Sequence, residues 1–483
     1  MGSLFLGFDV GTQSVKALVI DAARGEVVAR SSQAVELIAG LGDGHMEQHP
    51  RDWIDAVVTT GRAALAEVDG AQVAAIGVSG QQHGCVVLDE RDEVVRPAKL
   101  WCDTATAAEA QELSDALGRA VPTGFTASKL LWLKRHEPDN WAKVRRVLLP
   151  HDYVNFWLTG RASMECGDAS GSGWFDPVSR AFDPRAMDAI DPSLASMMPG
   201  LVAADGFVGE LVDRAREALG LPAGVMVSVG GGDNMMSAIG SGATRDGVVV
   251  VSLGTSGTIF TRTQHAVVDP EGLIAPFCSS DGAWMPLLCV MNLTGVTEEV
   301  KSLTGMDHAA LTAAAEQVPA GCDGLLWLPF LMGERVPDLP NATGALLGMR
   351  PGALRPGHLY RAALEGTSLN LGLGFARLKA LGVQVDEVRL TGGAANNRLW
   401  RQILADVFGV MVCVLEESES AALGAALQAC WATHRASAAQ LSVDEVAAPF
   451  VRVGAETSPG ADRASYEPLL ARFRAELQRV YQA

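Results

Sequence analysis

Short apolar runs open the chain. Leu4 to Phe8 and Val15 to Ile20 are two of them, joined by a turn of Gly, Thr, Gln and Ser, so the pattern predicts a β-hairpin with polar atoms at its tip. A third run begins at Gly25, after a turn over Asp21 to Arg24. The period then changes. Trp53, Val57, Ala64 and Val68 recur at helical spacing, as in a helix packed by one face. QVAAIGVSGQQHG follows as a short buried strand that ends in glycine and polar residues.

The same order returns in the second half. DGVVVVSLGTSGTIFTRT predicts a hairpin with a Gly-Thr-Ser-Gly tip. His358 to Leu381 predicts a helix with Leu364, Leu371, Phe375 and Leu378 on one face, and DEVRLTGGAANN predicts a strand ending in glycines. FDVGTQS thus corresponds to VSLGTSG and IGVSGQ to RLTGGA, a distant internal duplication. Two α/β domains facing each other over a cleft are expected, at residues 1–242 and 243–450, with a hinge near Ser241 to Asp246. Residues 105–223 read as a mostly helical insertion that forms one wall of the cleft. Residues 451–483 read as a packing helix with Leu470, Phe473, Leu477 and Val480 on one face.

Composition narrows the classes. At 483 residues and 48% hydrophobic, the chain can fill the cores of two large domains. A formal charge of −18 argues against a nucleic-acid partner, because such binding relies on clustered Lys and Arg. No apolar run approaches the roughly 18 residues of a membrane span, and MGSLFLGFDVG lacks a basic n-region and a cleavage site. A soluble, cytoplasmic protein without a membrane partner is expected. The eight cysteines are scattered, with no CxxC pair, and read as reduced, mostly buried thiols.

The candidate chemistry clusters at strand ends. Gly11 to Ser14 follow Asp9 at the first hairpin tip, where backbone N–H groups and hydroxyls can hold phosphate oxygens. A polar β-turn explains either tip alone; two matched tips point to a clamp for one nucleotide. Asp9 ends an apolar strand, so it is either a carboxylate for hydrated magnesium or one that bonds the turn amides. Asp233 and Asn234 follow three glycines that let a ligand come close, and Asp233 is either a substrate-facing carboxylate or a helix cap. Gln82 and His83 end the first-half strand and can bond hydroxyls in either direction. The P-loop, GxGxxG and GxSxG motifs are absent.

These residues resemble the FGGY family of carbohydrate kinases, within the actin-like and hexokinase-like ATPases, over nearly the whole chain. The family's two signatures are similar to GFTASKLLWLKRH at Gly124 to His136 and GALLGMRPGALRPGHLYRAALE at Gly344 to Glu365. The resemblance implies two actin-like, ribonuclease H-like domains with a duplicated βββαβα core around a central cleft. It also implies ATP and Mg²⁺ as cofactors, with nucleotide contacts from Gly11, Thr12, Gln13, Lys16, Gly254, Thr255, Gly392, Gly393 and Asn396. Asp233 would be the base, and Asp9 the metal carboxylate and a second catalytic residue. Ser252 stands where the wider superfamily often has Asp, which leaves the metal mainly to Asp9. The GDN triplet at Gly232 to Asn234 resembles members that phosphorylate D-xylulose, with Gln82, His83, Asp233, Asn234 and Asp103 as sugar contacts. Many bacterial members have Met at the place of Gln82, which leaves ribulose, glycerol or gluconate open. An ATP-switched scaffold on the same fold is the alternative from another class, and a homodimer is the family expectation.

Overall fold

The computed structural model describes residues 3–437 and 439–482. The first hairpin forms where the apolar runs place it. β1 (Leu4–Val10) and β2 (Ser14–Asp21) pair antiparallel with Asp9 opposite Lys16, and β3 (Glu26–Ala34) pairs with β2. α1 (Pro50–Leu65) begins at a proline, whose missing N–H has no partner in a first turn anyway, and buries Trp53, Ile54, Val57 and Ala64. It returns the chain to β4 (Val73–Gly80), parallel to β1 with Asp9 opposite Ser79. Helices α2 (Thr126–His136) and α3 (Pro150–Thr159) follow, then β5 (Phe207–Glu210), β6 (Met226–Ser228) and α4 (Asp233–Gly240). The sheet order is β5-β6-β4-β1-β2-β3.

The second half repeats this plan. Its strands are β7 (Gly247–Leu253), β8 (Gly257–Thr261), β9 (Ala275–Cys278), β10 (Trp284–Val290), β11 (Val385–Thr391), β12 (Met411–Leu415) and β13 (Val453–Thr457), in the order β9-β10-β8-β7-β11-β12-β13. As β1 does, β7 pairs antiparallel with the next strand and parallel with the strand after the long helix, β11. The helices are α5 (Thr294–Thr304), α6 (His308–Ala315), α7 (Pro356–Ala380), α8 (Arg398–Phe408), α9 (Ser420–Ala436) and α10 (Arg463–Tyr481).

Three details differ from the sequence reading. β5 lies in the segment read as insertion yet forms an edge of the first sheet; four residues are too few to show a period. Residues 451–483 supply β13 as well as a helix, so this segment completes the second sheet. Within the segment expected as a hinge, Ser241 to Thr244 are buried and braced: the Ser241 carbonyl accepts from the Arg389 guanidinium at 2.5 Å, and the Thr244 hydroxyl donates to Asp444 at 2.5 Å.

The halves join through two crossing helices. α9 follows a strand of the second sheet but packs on the first, burying Leu423, Ala425 and Ala426 with Phe5, Ile20, Ala75, Met236 and Ile239. Glycines clear its path. A Cβ on Gly424 would stand 1.8 Å from the Met236 carbonyl oxygen, one on Gly240 1.8 Å from that of Ser420, and one on Gly77 1.9 Å from that of Ala425. Gln428, one turn on, accepts from the Gly230 N–H at 2.8 Å and donates to its carbonyl at 3.0 Å. The α9 backbone therefore sets the position of the loop that leads to Asp233.

Because no flexible side chain can yield at this crossing, Gly424→Ala is expected to destabilise the protein by at least about 1–3 kcal/mol, the range for overpacking. Gly200→Ala, whose methyl meets open space, is expected to stay within about 0.5 kcal/mol. Urea unfolding midpoints check this, and equal midpoints for the two variants would refute the close crossing.

Candidate active site

The end of β1 carries Asp9 to the base of the cleft, where the Ser79 hydroxyl donates to Oδ1 at 2.9 Å. The tip beyond it is held from behind. The Thr12 hydroxyl donates to Gln81 Oε1 at 2.9 Å and accepts the Trp101 indole N–H at 3.0 Å, while its carbonyl accepts Gln48 Nε2 at 2.8 Å. The matching tip at Gly254 and Thr255 is held by the N–H groups of Thr294 and Leu293, at 3.1 and 3.0 Å. Ser252 pairs with Thr391 on β11 as Asp9 pairs with Ser79 on β4, so the two are topological counterparts. One tip brings a carboxylate and the other a hydroxyl.

Gly231 and Gly232 pair with Ser79 and Gly80, which sets Asp233 beside the strand end that carries Asp9. Asp233 opens α4, and its Oδ1 accepts from the Asn234 N–H at 2.7 Å and Nδ2 at 2.9 Å. Burial, and then the nearby Asp9 charge, push its pKa up to about 7 against the hydrogen bonds from Asn234. Burial also raises Asp9, against the Ser79 hydrogen bond and the Lys16 charge. The three glycines before Asp233 answer packing demands as well as ligand access: a Cβ on Gly230 would meet the Val78 carbonyl at 2.3 Å, on Gly231 the Ser280 hydroxyl at 2.3 Å, and on Gly232 the Gln82 side chain at 2.7 Å.

Asn234 links the halves, donating to Gln82 Oε1 at 2.9 Å and accepting from the Thr258 hydroxyl at 3.0 Å. Gln82 Nε2 and His83 Nδ1 are buried with no protein partner. His83 has φ of 63°, which a non-glycine residue rarely adopts, and its ring lies 4.9 Å from that of Phe125 and 6.1 Å from that of Phe277. Burial, then the Lys129 and Arg335 charges, hold its pKa down to about 3, so the imidazole is neutral and one nitrogen can accept a hydrogen bond from a hydroxyl. Gly171 leaves room for the ring, which would sit 1.9 Å from a Cβ there.

Two expected contacts are otherwise engaged. Asp103 Oδ2 accepts from the Met46 N–H and from Lys99 Nζ, both at 2.9 Å, and Oδ1 from the Ala105 N–H at 3.2 Å. His45, Glu47 and Asp103 have the spacing of metal ligands, but the Lys99 ammonium lies among them, 3.1 Å from both His45 Nδ1 and Glu47 Oε1. The structure thus builds Asp103 into a buried ion network and does not bring it to the Gln82–Asn234 group. Lys16 pairs across the cleft with Glu419 at 2.5 Å.

A cavity of 820 Å³ opens beside the second tip, lined by Gly254, Thr255, Gly393 and Asn396. Gly392 supports it from behind, where a Cβ would meet the Leu253 carbonyl at 2.5 Å. Gly11, Thr12, Gln13 and Lys16 belong to the facing tip and β2. Glu298, His308, Thr312 and Tyr360 also line the cavity and were not singled out in the sequence, because polar positions on α5, α6 and α7 read as ordinary solvated faces.

A cleft between two duplicated domains, with a glycine-rich hairpin tip on each side and a titratable carboxylate at its base, is the architecture of the actin-like class. The chain belongs to the FGGY family of carbohydrate kinases: the family's N-terminal domain matches residues 4–240 and its C-terminal domain residues 249–433. It is therefore an enzyme that phosphorylates a sugar. It is 40% identical to the xylulose kinase of Haemophilus influenzae over 447 residues, 89% of this chain and 90% of that one. It is 32% identical to that of Escherichia coli K12 over 99% of both chains. The crystal structure of xylulose kinase from Rhodospirillum rubrum superposes with a TM-score of 0.89 at 27% identity, covering 99% of each chain. Gluconate kinase from Lactobacillus acidophilus superposes with a TM-score of 0.90 at 24% identity, over 100% of this chain and 99% of that one, which shows the shared fold alone.

The raised carboxylate has a stability consequence. Between the unfolded value of 3.8 and about 7, the folded protein keeps a proton on Asp233 that the unfolded chain has lost. This contribution is fully present below about pH 4 and is lost as pH rises through about 7. Asp233→Asn is always neutral, so it should melt above the native protein at pH 8, with the gap shrinking toward pH 5. Calorimetry at both values checks this, and a pH-independent gap would refute the raised pKa.

Proposed function

We propose that this enzyme transfers the γ-phosphoryl group of ATP to the terminal hydroxyl of D-xylulose, giving D-xylulose 5-phosphate and ADP. The observation that carries the reading is the group at the cleft base: Asp233 with a pKa near 7, and beside it the unpartnered Gln82 Nε2 and His83 Nδ1. Buried polar atoms without partners are rare in folded proteins, and sugar hydroxyls would satisfy these. The similarity to xylulose kinases over most of the chain supports D-xylulose as the sugar.

In this reading Asp233 accepts a hydrogen bond from the reacting hydroxyl and takes its proton late, as phosphorus–oxygen bond formation proceeds. Its pKa near neutrality suits that role better than an ordinary carboxylate. Gln82 and His83 hold the other hydroxyls, and Asn234 fixes Gln82 and Asp233 relative to each other and to the second domain through Thr258. The Gly11–Gln13 and Gly254–Thr255 tips hold the phosphates, Lys16 exchanges Glu419 for them, and the Gly392–Asn396 turn holds the adenosine end. Asp9 is the fitting residue for Mg²⁺: burial disfavours its charge, a second carboxylate lies nearby, and its one neighbouring cation is shared with Glu419. When bound, the ion neutralises phosphate charge at the cleft base. No described helix is long and apolar enough to cross a membrane, and all eight cysteines are free, which supports a cytoplasmic setting.

The direct test is ADP formation on a panel of D-xylulose, ribulose, glycerol and gluconate. D-Xylulose is expected to give the highest kcat/KM, and turnover that needs no polyol would overturn the reading. Among variants, Asp233→Ala should lower kcat by about 10²–10⁴ at saturating sugar. His83→Ala should raise the sugar KM with little change in kcat, as for a contact made equally in ground and transition states. Asp9→Asn should raise the magnesium concentration needed for half-maximal rate; an unchanged magnesium curve would remove Asp9 from the metal site.

A further inference from the structure

The second domain presents one arginine to the sugar side of the cleft. Arg335 is exposed and forms no ion pair among the described residues. Its backbone is fixed by Glu334, which is 2% exposed and fully engaged: Oε1 accepts from the Met291 N–H at 2.6 Å and the Arg335 N–H at 2.8 Å, Oε2 from Asn292 at 3.1 Å and Asn370 at 3.2 Å. The Met291–Leu293 segment so anchored also carries the N–H that holds Thr255 at the second phosphate tip. Arg335 and that tip therefore share one rigid support.

The guanidinium faces the first domain. Its Nη2 stands 3.7 Å from where a Cβ on Gly124 would be, against a wall whose Gly124 and Phe125 carbonyls are held by Lys129 Nζ at 2.5 and 2.9 Å. Its charge reaches the His83 ring on that side. On its own side it lies beside the Cys289 thiol, where it opposes the upward push that burial gives that group. The carboxylates at the cleft base offer it no ion pair within 4 Å, and Lys16, the cation of the first tip, already pairs with Glu419. An unpaired guanidinium on a rigid support, beside a site that must receive an anionic group with three equatorial oxygens, matches the planar fork that binds phosphoryl oxygens in two places at once.

We propose that Arg335 binds the phosphoryl group in transit, reaching its equatorial oxygens from the second domain as the cleft closes. This inference rests on the kinase reading and adds a residue to it. The phosphorus–oxygen bond to ADP breaks and that to the sugar hydroxyl forms, with the hydroxyl proton passing to Asp233. Arg335 keeps all its protons and stabilises the charge spread over the oxygens between the two.

Steady-state kinetics on Arg335→Gln and Arg335→Lys, using the polyol of the panel that the native enzyme turns over fastest, test the assignment. Arg335→Gln should lower kcat by about 10²–10³, leave the sugar KM and the melting temperature unchanged, and regain rate on addition of millimolar guanidinium ion. Arg335→Lys should lie between Arg335→Gln and the native enzyme. A raised sugar KM with native kcat would make Arg335 a ground-state sugar contact and overturn the proposal. So would a kcat loss that guanidinium does not restore and that comes with a lowered melting temperature. Native kcat in Arg335→Gln alongside a large loss in Asp233→Ala would remove Arg335 and leave the kinase reading standing; ATP turnover stimulated by none of the polyols would overturn both.

Discussion

The crossing of α4 and α9 is the contact on which the site depends. Two helices from different halves approach until the backbone of each meets the α-carbon of a glycine on the other, Gly240 and Gly424. At that distance neither helix can slide without breaking into backbone atoms, and interiors packed to crystal density give no slack. Asp233 begins one of these helices, and Gln428 on the other bonds the loop before it. The position of Asp233 is therefore set by the joint between the halves.

Electrostatics at the cleft follow from that fixed geometry. Two carboxylates are brought near each other at the end of one sheet, partly withdrawn from water, so both hold their protons more tightly than free aspartates do. Lys16, the cation that acts on Asp9, is itself paired with Glu419. Arg335, on the second domain, is the cation near the cleft that has no ion pair among the described residues. The neutral His83 and the amide of Gln82 make this end of the cleft polar without adding charge, which suits a neutral polyol.

Much of this was legible in the sequence. The short apolar runs of the two hairpins and the tips they end in were visible because a buried strand shows as a bounded apolar run and the glycine-rich turn marks its end, and the duplication showed through the repeated order. Asp9, Gln82, His83 and Asp233 stood out as polar residues at the ends of apolar strands, the positions the structure gathers at the cleft base. The rest was hidden for physical reasons. Asp103 looked like a cleft residue until its partners, Lys99 and the amides of Met46 and Ala105, came together through the tertiary fold. The glycines before Asp233 signalled access, yet each is also required by an atom distant in sequence, Val78, Ser280 or Gln82. The cavity wall formed by Glu298, His308, Thr312 and Tyr360 lies on helices whose polar faces give no local sign of facing a cavity.

The central claim is that sugar and nucleotide occupy the cleft together and that the phosphoryl group passes directly between them past Asp233. Stereochemistry at phosphorus tests this most directly. With ATP made chiral at the γ-phosphorus by oxygen isotopes and sulfur, a single in-line displacement predicts inverted configuration in the sugar phosphate. Retention, the mark of two displacements through a phosphorylated side chain, would contradict the account.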